Sequence, residues 1–127
     1  YHACKAEHLL SWTNAQLYEI EFDGETLDGN DKTVAQRMRI IRKIETWNDK
    51  TTRLFACYCA RDVLPIYEKD YSDDKLPRTA IETAERFAEG NATFEELDAA
   101  WDAARAAQKR MFIDMCNGSA PWQDQPK

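Results

Sequence analysis

The stretch YEIEFDGETLDGNDKTVAQRMRIIRK, residues 18–43, decides the fold, because its two halves admit different readings. Tyr18 to Asp23 alternates apolar and acidic side chains, the period of a half-buried strand. Asp23-Gly24 then offers a turn, giving a short β-hairpin near 18–28. A single strand has no obvious partner, so an extended helix end or a loop fits better. Residues 23–31, with Gly24 and Gly29, make the clearest loop of the chain. Beyond it Val34, Met38, Ile41 and Ile44, with Ile40 and Trp47, fall on one stripe of a helix that Asn30 or Asp31 can cap. Arg37, Arg39, Arg42 and Lys43 spread over the rest of that helix.

The flanking segments extend a helical pattern. Ala6, Leu9, Leu10, Thr13 and Leu17 recur at i, i+3, i+4 and i+7, which predicts a first helix over residues 3–18. A third starts near Thr51. From Leu54 to Tyr67 it is apolar on several sides, as in a central, buried helix, and Pro65 predicts a kink or break. Pro77 opens a fourth helix and Gly90 ends it. Thr93-Phe-Glu-Glu96 is a capping box that starts the fifth, which Asn117-Gly118 closes. The alanines at 99, 100, 103, 104, 106 and 107 let another helix approach closely. The expected fold is all-α: a single domain over residues 1–118, a compact bundle or orthogonal array of about five helices. Residues 119–127, with two prolines and Trp122, read as a mobile tail.

The chain has 127 residues and a net charge of −6, from 17 basic and 23 acidic side chains. That sign argues against non-specific nucleic-acid binding as a main activity. The charge is segregated, however. Residues 1–31 hold one base and seven acids, residues 32–61 eight bases and two acids, and residues 62–127 eight bases and fourteen acids. The acidic set Glu19, Glu21, Asp23, Glu25, Asp28 and Asp31 reads first as a solvated loop. Its functional reading is a steering surface for a basic protein partner. The basic set Arg37, Arg39, Arg42 and Lys43 is the alternative site, tracking a phosphate backbone, although acidic blocks folding back on it are the simpler reading.

Little in the chain suggests catalysis. Only His2 and His8 are histidines, and no nucleophile elbow, P-loop or glycine-rich motif occurs. Neither a metal nor a cofactor is expected, since Cys4 and His8 with His2 need a further ligand from Cys57 or Cys59. Cys4, Cys57, Cys59 and Cys116 read as reduced, mostly buried thiols of a cytoplasmic protein. There is no signal-peptide pattern, and no apolar run is long enough to span a membrane. Arg53, Arg61, Asp62, Arg78 and Glu82 suggest a half-buried ion network between the third and fourth helices.

The segments Arg53-Leu-Phe-Ala-Cys-Tyr-Cys-Ala-Arg-Asp-Val63, Ala80-Ile-Glu-Thr-Ala-Glu-Arg86, Ala88-Glu-Gly90 and Ala92-Thr-Phe-Glu-Glu-Leu97 resemble a family of small, largely uncharacterised helical proteins of bacteriophages and bacteria. Leu64-Pro-Ile-Tyr-Glu68, Asp73-Asp74, Pro77-Arg78 and Ala80-Ile-Glu82 are similar to immunity proteins. The match covers about residues 53–107. It carries no catalytic residues over and implies fold and context only. The resulting expectation is a non-enzymatic inhibitor in the bacterial host cell. It blocks a nuclease or defence complex, as an immunity or counter-defence (anti-CRISPR-like) protein, through the acidic surface. A nucleic-acid-binding regulator is the alternative, and a homo-oligomer built through the alanine-rich helices is a third.

Overall fold

Residues 18–43 form an antiparallel β-hairpin, which corrects the all-α expectation. The computed structural model describes residues 1–120, and the element order is that of an α+β chain. Strand β1 (His2–Ala3) is followed by a 3₁₀ segment (Ala6–Trp12), then β2 (Tyr18–Asp28) and β3 (Thr33–Lys43). Helices α1 (Asp49–Asp70), α2 (Leu76–Ala88) and α3 (Phe94–Cys116) complete it. Trp122 and most of the expected tail lie outside the described residues. The chain divides into two compact units, residues 1–49 and residues 50 onward.

In the first unit the strand order is β1-β3-β2, all antiparallel. The partner that Tyr18–Asp23 lacked is the segment expected to be the second helix. Two spacings compete there. Val34, Met38 and Ile41 fit a helical stripe, but Arg37-Met38-Arg39-Ile40 alternates polar and apolar with period two. Branched Val34, Ile40 and Ile41 favour the pleated surface. Pairing decides for the strand: Ile20 stands opposite Ile40, Phe22 opposite Met38 and Leu27 opposite Val34. The turn is at residues 29–32, where the Gly29 N–H donates to the Lys32 carbonyl at 2.7 Å, and not at Asp23-Gly24. Gly24, with φ of 91°, instead sits where the register shifts between Asp23 and Thr26, a bulge within β2.

The expected first helix shrinks to the 3₁₀ segment, which buries no residue. The Trp12 ring lies 5.4 Å from that of His2, and the Trp47 indole N–H donates to the Asn14 carbonyl at 2.8 Å. The N-terminal ammonium donates to the Ala35 carbonyl and the Ala35 N–H to that of Tyr1, both at 3.0 Å.

The second unit matches its sequence signals more closely. Thr93 accepts from the Glu96 N–H while the Glu96 carboxylate accepts from that of Thr93, so the capping box is formed. Gly90 follows α2 with φ of 80°, and Pro77 lies in the first turn. Helix α1 continues through Pro65 without a break. It is not the buried central helix that its composition suggests, since only Cys57 and Leu64 are buried on it. Tyr58, Val63 and Ile66 remain exposed, Ile66 at 70%. Among the described residues of this unit only α2 and α3 are available to pack against α1. The core is small: Cys57, Ala84 and Leu97, with Ile81 and Phe87 packed against them. Of the four thiols only Cys57 is buried, and Cys59 and Cys116 are exposed, so the thiols are not mostly buried.

Candidate functional site

The two charged sets singled out in the sequence meet across the hairpin. Side chains alternate along a strand, so Glu19, Glu21 and Asp23 share one face of β2. On β3 the same face carries Arg37, Arg39 and Arg42. The register sets Glu19 against Arg42, Glu21 against Arg39 and Asp23 against Arg37. Each is an ion pair: Arg42 Nε to Glu19 at 2.6 Å, Arg37 Nε to Asp23 at 3.0 Å, and Arg39 to Glu21. Asp28 holds Lys5 at 2.8 Å and accepts from the Thr33 hydroxyl at 2.6 Å. Those hydrogen bonds hold its carboxyl below the usual carboxylate range. Lys43 lies 3.9 Å from Glu45. Among the described residues Glu25 and Asp31 have no cation at ion-pair distance. The face is thus a column of carboxylates beside a column of guanidiniums, all solvent-exposed. Its three acids are matched by three guanidiniums, so the face carries little net charge.

In the second unit, ion pairs fix the helix directions. Arg61 grips Glu85 with two bonds of 2.6 Å, and Arg78 grips Glu68 at 2.8 and 2.7 Å. Lys50 reaches Glu89 at 2.8 Å. The start of α1 therefore lies beside the end of α2, and the two run antiparallel. Arg86 to Glu96 at 4.0 Å and Arg110 to Asp74 at 3.7 Å set α3 antiparallel to α2 in the same way. The expected network between the third and fourth helices exists through Arg61 and Arg78, with Glu85 and Glu68 as their partners instead of Asp62 and Glu82. The guanidiniums hold both glutamates below the usual carboxylate range. Tyr67 donates its hydroxyl to Asp74 at 2.9 Å. Burial, then that carboxylate, pushes the phenol up to about 12.

Helices α1 and α3 thus flank α2 in the same direction, and between them lies an open apolar groove of about 490 Å³. Ala56 and Ala60 of α1, Ala80 and Ala84 of α2 and Ala104 of α3 keep it wide, and Val63, Ile81, Trp101 and Met111 give it apolar surface. Arg53 and Arg105 are the charged residues lining it. The Arg53 guanidinium lies 4.7 Å from the centre of the Phe87 ring and has no carboxylate at ion-pair distance among the described residues. Arg105 has Asp102 of its own helix at 3.3 Å and stands 5.8 Å from the Trp101 ring centre. Sequence reasoning missed this groove. Its signal was present in the spacing of Ala56, Ala60, Ala80 and Ala84, small residues one helical turn apart on facing helices.

No group of three or more metal-ligating side chains is arranged to hold an ion among the described residues. Nor is any described helix long and apolar enough to cross a membrane. No curated protein and no solved structure matches the chain. The family described as "Imm-5 like putative immunity protein" matches residues 42–112, which take in α1, α2, α3 as far as Phe112 and every residue lining the groove. The match spans more than half of the sequence, and the chain belongs to this Imm-5 like immunity protein family.

Proposed function

We propose that this protein is an immunity-type inhibitor that binds a toxic effector protein through the helical groove and blocks it by occupancy, with no covalent step. The observation that carries the reading is the groove itself. It is an open, alanine-floored apolar channel within the family-matched segment, with Val63 and Trp101 about half exposed. Apolar surface of this kind is unfavourable in water and marks a docking surface. A counter-defence role uses the same chemistry against a host nuclease. The acidic-surface version has less physical support, because Glu19, Glu21, Asp23 and Asp28 each already hold a cation. The same pairing takes Arg37, Arg39 and Arg42 away from a phosphate backbone.

The test is co-expression with candidate toxic effectors cloned from the genes that flank this one. The wild type restores growth and the effector is recovered intact. The Ala80→Trp variant, which fills the groove, loses protection while keeping its far-UV circular dichroism. Full protection by a folded Ala80→Trp protein overturns the groove as the inhibitory surface.

A further inference from the structure

We infer that the groove between α1 and α3 receives one amphipathic helix of the bound protein, with an apolar stripe flanked by carboxylates. The inference rests on the inhibitory reading above and names the chemistry of what that same surface holds. Three features specify the occupant. The first is shape. The α1 lining runs from Arg53 to Tyr67 and the α3 lining from Trp101 to Met111. At 1.5 Å per residue the channel is roughly 15–20 Å long, about three to four helical turns. The second is the floor. Ala60, Ala80, Ala84 and Ala104 project no bulk, so a partner backbone can approach closely, and a fourth helix would extend the bundle that α1, α2 and α3 form among the described residues. Leucines at i, i+3/i+4 and i+7 are the anchors such a channel accepts.

The third feature is charge. The chain as a whole is acidic, yet both charged residues lining the channel are arginines. Arg53 is without a carboxylate among the described residues, and Arg105 holds only a neighbour on its own helix. A helix that brings Glu or Asp to these two guanidiniums satisfies both, whereas a lysine-flanked helix meets repulsion. A second copy of the chain is a poorer occupant. It would have to offer its α1, which brings Arg53 and Arg61, or its α3, and a dimer in sedimentation at the titration concentration would make the second copy the occupant and overturn the inference.

The probe is a synthetic peptide of about 16 residues with leucines at that spacing and glutamates on the flanks, long enough to fill the channel. It is titrated against the full chain and followed by calorimetry and Trp101 fluorescence, with Trp101→Phe as the control. We expect the glutamate peptide to bind and its lysine counterpart to bind at least about tenfold more weakly. The Arg53→Glu/Arg105→Glu protein, altered only at solvent-reachable side chains, inverts that preference. The inference is overturned if neither peptide binds, if both bind equally, or if the double variant keeps the wild-type preference. Dodecanoate is the competing apolar carboxylate. If it binds where the peptide does not, the groove holds a lipid-like ligand instead. In the co-expression assay, protection that survives the double charge reversal but not Ala80→Trp sinks the acidic helix and leaves the inhibitory groove standing. Protection that survives Ala80→Trp removes the groove reading itself.

Discussion

Arg39 and Arg42 lie three residues apart on β3 yet reach the same face of the hairpin, each to a glutamate of β2. The register shift between Glu19 and Ile20 makes this possible. An extra residue on β3, at Ile40-Ile41, is absorbed as a bulge, so the charged column resumes in phase.

That alignment makes the Glu19–Arg42 pair separable by a charge swap. Both side chains are at least half exposed, so the coupling is small, about 0.5 kcal/mol. Glu19→Arg alone and Arg42→Glu alone each destabilise the protein, and the double swap recovers most of the loss. Urea denaturation of the four proteins measures it. A double variant no more stable than the worse single one contradicts the ladder.

Acid should loosen the helical unit through Glu68 and Glu85. Each carboxyl has a folded pKa lowered from the ordinary value of 4.5 by its arginine. A group lowered in this way binds its proton more readily when unfolded. Its contribution is complete above the unfolded value and is lost as pH falls through the folded one. Melting temperature therefore drops as pH falls through and below the ordinary carboxylate value, and Arg78→Gln makes the drop shallower. Thermal melts across that range check the slope.

The α2–α3 connection depends on two backbone devices. Gly90 adopts φ of 80°, open to glycine but strained for alanine, and Thr93 caps α3. Gly90→Ala and Thr93→Ala should each cost about 1 kcal/mol. In a unit of this size that lowers the melting temperature by roughly 4–8 °C. The space around Gly90 is empty, so a loss there reports strain and not a clash.

Thiol reagents should sort the cysteines. Cys59 and Cys116 are exposed and react in the folded protein. Cys57 is buried, and burial raises its pKa, so less of it is thiolate at neutral pH. It reacts on unfolding. Mass spectrometry of timed alkylation gives the order, and early labelling of Cys57 would contradict the packing of α1 on α2.

The helical half was legible where a residue has one conformational use. Thr93 with Glu96, Gly90 and Pro77 each do what their chemistry permits at a helix end. The hairpin is hidden by one competing period. Tyr18–Asp23 alternates, but it has no partner as long as residues 33–43 are read as a helix. The bulge at Ile40-Ile41 breaks the period of two at the point where Ile41 and Ile44 complete a helical stripe. Helix α1 misled in the opposite way. Composition reports that Tyr58, Val63 and Ile66 are apolar, but whether they are covered depends on how many neighbours the unit has. The groove escaped notice for a related reason, since a gap is a property of facing helices and no single segment encodes it.

The outer edge of the sheet has a consequence for solubility. Strand β2 is terminal in the order β1-β3-β2, with eleven residues and no backbone partner beyond β3 among the described residues. Such an edge invites another copy to add itself, the first step toward aggregation. Here an incoming β2 would set a second row of carboxylates beside Glu19, Glu21 and Asp23, while the arginines that neutralise them lie one strand away on the wrong side. The charges that hold the hairpin together therefore also act as gatekeepers, protecting the chain from polymerising along its own edge.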